Sequence, residues 1–133
     1  MPGPGKPPAG VDETAHLEQA ARHIYLGAST DNNIICVDEK EVLVVAKVAD
    51  ELIRSMVAAG AVLIGKDRLR DLEKVVFTKM AGPREHAHVD KDLIGKNANV
   101  ILAKMGISAP DSVRMVVVEV DQDHPLLWTE QMM

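Results

Sequence analysis

Residues 41–64 read EVLVVAKVADELIRSMVAAGAVLI, and this stretch decides the fold. Glu41 to Ala46 carries β-branched residues on both faces, the pattern of a strand covered on both sides. Val48, Ala49, Leu52, Ile53, Met56 and Val57 then recur at three- and four-residue steps, which predicts a helix with a single apolar stripe. Gly60 suits the left-handed position that ends such a helix. Ala61 to Ile64 is a second short apolar strand. Strand, helix and strand in this order make a β-α-β unit, whose two strands are expected to run parallel.

On the N-terminal side, residues 1–10 are rich in Pro and Gly and are expected to form neither helix nor central strand. Leu17, Ala20, Ala21, Ile24, Tyr25 and Ala28 form a second apolar stripe. Asp12 or Thr14 can cap that helix, and Glu13 suits its positive end. Ser29 to Asn33 is a polar turn cluster, followed by the apolar run Ile34 to Val37. On the C-terminal side, Asp67 can cap a third helix with Leu69, Leu72, Val75 and Val76 inward. Residues 79–95 are charged and loop-like, broken at Gly82-Pro83. Ala98, Ile101, Leu102 and Met105 mark a fourth helix closed by Gly106. Val113 to Val120 is the strongest strand, broken at His124-Pro125. The expected class is α/β, a mostly parallel sheet flanked by helices.

The 133 residues suit one compact domain, and 47% of them are apolar, so a core is affordable. Aromatic residues make up only 2% and the net charge is −5 with no basic block, which argues against nucleic acid as a partner. No stretch is long and apolar enough to cross a bilayer, so no membrane partner is expected. One cysteine rules out an internal disulfide, and with no apolar signal core the cytoplasm is the expected location. The loop-like residues 1–8 and the apolar end Trp128 to Met133 point to chain that once continued into a larger core.

Cys36 lies between a polar turn and a strand, a position where a backbone amide can also point at a reacting atom. A thiolate there would be a strong nucleophile. A single cysteine among Ile and Val is usually a small core hydrophobe, and on these residues alone that is the stronger reading. His86, His88, Asp90 and Asp92 lie close together but read as a solvated loop, because no Cys or further His supports a metal site. His16 and His23 are too far apart on their helix to pair on a metal.

The stretch Ala28-Ser29-Thr30-Asp31-Asn32-Asn33-Ile34-Ile35-Cys36-Val37-Asp38-Glu39-Lys40-Glu41-Val42 resembles the active-cysteine segment of the CoA-acylating aldehyde dehydrogenases, the propanediol- and ethanolamine-utilisation type in particular. Three further stretches agree in order. Gly3 to Pro8 with Val11 to Ala15 resembles the family's Gly-rich loop and strand. Ile94 to Ala98 resembles its Gly-Lys segment. Glu119 to Asp121, His124-Pro125 and Thr129 to Met133 resemble its strand and Glu-containing loop.

The resemblance implies that residues 1–133 are a partial catalytic domain, without the nucleotide-binding domain, of an oxidoreductase using NAD and coenzyme A. It implies Cys36 as the nucleophile that attacks a short-chain aldehyde, passes hydride to NAD and hands the acyl group from its thioester to CoA. The Cys36 backbone N–H would be one oxyanion donor. Glu130 matches the family's glutamate on the nicotinamide ribose, where a carboxylate accepts from adjacent hydroxyls. Asp31, Asn32 and Asn33 are expected to shape the turn that presents Cys36. Lys6 stands where the family often has Asn, Thr30 where an aromatic is common, and Gln131 where an aliphatic is usual. No Gly-x-Gly-x-x-Gly fingerprint follows a strand, so the chain alone is expected to be inactive. A homo-oligomer or association with full-length subunits is expected, in the cytoplasm or inside a bacterial microcompartment. Two other readings stand beside this one: an inactive remnant acting as an interaction module, and a small ligand-binding domain with an inert cysteine.

Overall fold

In the computed structural model, which describes residues 6–133, helices and short strands alternate along the chain. Strand β1 (Pro8–Val11) leads into helix α1 (Leu17–Ala28), then β2 (Glu41–Val44), α2 (Ala46–Ala59) and β3 (Val62–Ile64). Helix α3 (Leu69–Val76), strands β4 (Phe77–Lys79) and β5 (His88–Val89), helix α4 (Ala98–Lys104), strand β6 (Val116–Val118) and the short helix α5 (Pro125–Trp128) complete the order. The Gly-rich residues 1–5 lie outside the described residues, so the resemblance of Gly3, Pro4 and Gly5 to a family loop has no structural counterpart here.

Two apolar cores result from the helical stripes. In the first, α1 and α2 bury Ala21, Ile24, Leu52 and Met56 against each other, with Val42, Val44, Met115 and Val117 packed on them. In the second, α3 and α4 bury Leu72, Val76, Ile101 and Leu102 around Leu93. Strand β6 lies between them. Met115 and Val117 face the first core while Val116 and Val118 face the second, as the two-residue period of a strand covered on both sides requires.

The strands form three pairs among the described residues. β1 and β2 are parallel, with Pro8 opposite Glu41 and Val11 opposite Val44. β3 and β6 are parallel, with Val62 opposite Val116 and Ile64 opposite Val118. β4 and β5 are antiparallel. The parallel character expected from sequence is present, but the strands of the β-α-β unit do not pair with each other. β2 bonds to β1, the strand just before it in the chain, β3 bonds to the distant β6, and α2 carries the chain from one pair to the other.

Three local expectations are corrected. Asp12 does not cap α1; its carboxylate accepts from the Thr14 amide at 2.9 Å and hydroxyl at 2.6 Å, closing a turn ahead of the helix. Asp67 sits inside a tight turn, Lys66–Arg68, and α3 starts after it. β6 is shorter than the run Val113 to Val120, because the Val113 amide bonds the Pro110 carbonyl in a turn at 3.0 Å. The loop-like residues 79–95 contain β5 and a 3-10 turn, Lys91–Leu93. Gly60 ends α2 at φ 119°, the left-handed position read from the sequence.

Candidate active site

The segment after α1 is built on three consecutive residues with positive φ, Asp31 at 45°, Asn32 at 55° and Asn33 at 61°. Asn and Asp tolerate this region because their short polar side chains can bond locally, whereas β-branched residues are strongly strained there. That is the physical reason for an Asp-Asn-Asn run before Cys36.

Each Asn then anchors the loop. The Asn33 amide donates to the Ala28 carbonyl at 2.6 Å and the Glu39 carbonyl at 3.1 Å, tying the two ends of the loop together. The Lys40 ammonium donates to the Asn33 carbonyl at 2.8 Å and also to the Asn33 side-chain oxygen. The Asn32 amide donates to the Gly95 carbonyl at 2.9 Å and the Asn97 side-chain oxygen at 2.8 Å, and Arg114 donates to Asn32 Oδ1 at 2.9 Å. Gly95 has φ +72°, and a Cβ there would meet Ile34 Cδ1 at 2.9 Å, so glycine lets the two segments close. Cys36 stands exposed at the tip of this clamped loop. It is therefore not a core hydrophobe.

Asn32→Ala removes three hydrogen bonds and an Asn suited to the left-handed region. We expect a loss of about 2 kcal/mol, read by urea unfolding, with faster amide exchange at Asp31 to Cys36.

Two lysines define the electrostatics. The Lys6 ammonium donates to the Thr129 carbonyl at 3.0 Å and to Gln131 Oε1 at 2.9 Å. Burial lowers its pKa to about 8, opposed by the negative charges of Glu41 and Glu130 and reinforced by Lys40. Burial also lowers the pKa of Lys40, while Glu130, Asp38 and Cys36 act in the opposite direction. Cys36 and Glu130, the two residues singled out in the sequence, thus both lie within electrostatic reach of one ammonium. Asp38, beside the loop, is 5% exposed, and its Oδ2 has no hydrogen-bond partner among the described residues.

The Lys6 shift has a sign that can be tested. Its folded pKa lies below the unfolded value, so between about pH 8 and 10.5 the unfolded chain holds the proton that the folded chain has lost. Stability from this group therefore rises with pH across that window. Unfolding curves of Lys6→Met taken over the same range should lack that rise.

No family model matches the chain. Sequence and structure comparisons do find relatives. The acetylating acetaldehyde dehydrogenase EutE of Salmonella typhimurium is 44% identical over 131 residues, 98% of this chain and 28% of the relative. The propionaldehyde dehydrogenase of Rhodopseudomonas palustris, solved with bound CoA and an acylated cysteine, superposes with a TM-score of 0.88 at 39% identity. That match covers 98% of this chain and 29% of the solved one. This chain is homologous to one segment of the CoA-acylating aldehyde dehydrogenases. A third relative is the propionaldehyde dehydrogenase of the Clostridium phytofermentans fucose utilisation bacterial microcompartment, at 36% identity and a TM-score of 0.86, covering 98% of this chain and 29% of that one. The chain spans under a third of the length of these dehydrogenases, so its fold is a partial domain.

The residues present fit the CoA and the nicotinamide nucleotide bound in related solved structures. A coenzyme thiol needs an approachable acyl sulfur, and Cys36 is exposed. A ribose diol needs uncommitted acceptors, and Lys6 spends its bonds on Thr129 and Gln131, leaving the half-buried Glu130 carboxylate without a side-chain partner among the described residues. Lys6, Lys40 and Arg114 were not singled out as site residues from sequence. Lys40 stood inside the quoted cysteine motif and Lys6 was noted as a departure, but neither their convergence nor the reach of Arg114 to Asn32 is written in local spacing.

Proposed function

We propose that this chain is the cysteine-bearing part of an NAD- and CoA-dependent aldehyde dehydrogenase that oxidises a short-chain aldehyde to acyl-CoA through a thioester on Cys36. The observation that carries this reading is the exposed sulfur on a loop clamped by Asn32, Asn33 and Lys40, in a chain 44% identical to an acetylating acetaldehyde dehydrogenase. The Cys36 thiolate bonds to the aldehyde carbon, and its own backbone N–H is one donor to the oxygen that becomes negative. Lys40 holds a positive charge near the sulfur, and Glu130 accepts from the ribose hydroxyls. Bound NAD supplies the hydride acceptor, and bound CoA supplies the thiol that takes the acyl group. Among the described residues no helix is long and apolar enough to cross a membrane. A place in a bacterial microcompartment is supported by the name of the Clostridium relative.

The test is reconstitution. Purified chain mixed with the separately produced nucleotide-binding part of the Salmonella relative should form acyl-CoA from propanal, NAD and CoA, and the chain alone should not. Turnover by the chain alone would contradict the account of it as a part. Stable binding without turnover would support a second reading, an inactive remnant that associates with full-length subunits. An open cleft between two strand edges favours that association.

A further inference from the structure

His124-Pro125, read from the sequence as a break, is the start of α5. The helix is four residues long, with Pro125 in its first turn and His124 as its N-cap. His124 Nδ1 accepts from the Leu126 amide at 3.1 Å. A backbone amide can only donate, so Nδ1 carries no proton and Nε2 carries one. Nε2 donates to Glu73 Oε1 on α3, at 2.7 Å. The two side chains are 13% and 20% exposed, so water competes little for either bond. Only the neutral Nε2–H tautomer makes both bonds at once.

The far end of α5 is tied as well. The Thr129 amide donates to the Pro125 carbonyl at 2.9 Å, and the Thr129 hydroxyl accepts from the Ala87 amide at 2.8 Å in a buried contact. Gln131 Nε2 donates back to the Leu126 carbonyl at 2.8 Å. Glu130 stands between these two tied residues, so its place follows the place of α5. The start of α5 is in turn fixed to α3 through one imidazole ring. We propose that His124 and Glu73 are positioning residues for Glu130, setting its carboxylate for the ribose diol of the nicotinamide nucleotide. They act through α5 and not by contact with the nucleotide. The nucleotide as the beneficiary rests on the dehydrogenase reading; the coupling of His124 to Glu130 does not.

The experiment uses the whole chain, labelled with 15N. At neutral pH the His124 ring is expected to show an unprotonated Nδ1 and a protonated Nε2, and the opposite tautomer overturns the proposal. His124→Ala and Glu73→Ala are expected to speed amide exchange at Thr129 and at the distant Ala87 about tenfold or more, with Leu52 in the other core unchanged. His124→Asn keeps a capping oxygen but falls short of Glu73, so it stays folded where alanine does not, and it should loosen the same two amides. Glu73→Gln still accepts from Nε2–H and should restore the slow rates. Mixed with the nucleotide-binding part of the Salmonella relative, His124→Asn should raise the KM for NAD about tenfold and leave the KM for CoA as it was. A generally loosened fold would not produce that split. Unchanged exchange in every variant overturns the proposal, as does faster exchange with an unchanged KM for NAD or with equal rises for NAD and CoA. A mixture in which the unsubstituted chain turns nothing over refutes the dehydrogenase reading instead, and the ring tautomer and exchange rates still decide whether His124 sets the place of Glu130.

Discussion

Reconstituted with the nucleotide-binding part of a relative, Cys36→Ala is expected to lose aldehyde oxidation by on the order of 10⁴-fold or more, the scale of removing a covalent nucleophile. Nothing nearby replaces it. Cys36 is the only cysteine in the chain. The neighbouring hydroxyls of Ser29 and Thr30 both donate to the Leu26 carbonyl, at 3.4 and 2.8 Å, and neither is hydrogen-bonded to a base. Because the Cys36 side chain is exposed, its removal should leave stability within about 0.5 kcal/mol. NADH formation from propanal, followed beside an unfolding curve, separates the two effects. Cys36→Ser serves as the conservative partner. It keeps the shape but offers a hydroxyl with no adjacent base, and it should be nearly as inactive. An alanine variant that kept a tenth of the activity would remove the sulfur from the chemistry.

The largest effect on stability is expected at Leu102. Its side chain is 0% exposed at the centre of the second core, beside the equally buried Leu93. Leu102→Ala removes buried apolar surface and leaves a cavity, costing about 3–5 kcal/mol. A domain of this size is stable by only about 5–15 kcal/mol, so the midpoint in urea should fall sharply. Leu26→Ala is the control. Leu26 is 55% exposed, and its loss should change stability by under about 0.5 kcal/mol.

These expectations show what local pattern can and cannot convey. α1, α2 and α4 were legible because an apolar stripe at three- and four-residue steps is a property of contiguous residues. The glycines that end α2 and α4, Gly60 and Gly106, were legible because positive φ selects glycine. The strand partners were not legible. β2 and β3 flank one helix, yet β2 bonds back to the preceding β1 and β3 bonds to the distant β6, and nothing in a run of Val states its partner. The cysteine motif was read through its resemblance, and the role of its Asn residues follows from three positive φ angles. Asn32 reaching Gly95, Asn97 and Arg114 depends on tertiary proximity that no spacing announces. The same holds for Lys6 and Lys40, from the first third of the chain, converging near Glu130 at its far end.

One reaction isolates the sulfur from the rest of the enzyme, because acyl transfer between a coenzyme thioester and a protein thiol needs no hydride acceptor. The purified chain is incubated with propionyl-CoA at neutral pH, and the intact mass and peptide map are recorded. The account predicts a single propionyl group on Cys36, removed again when excess CoA is added. A chain that stays unmodified while its thiol remains reduced, or that carries the acyl group on lysines instead, would contradict it.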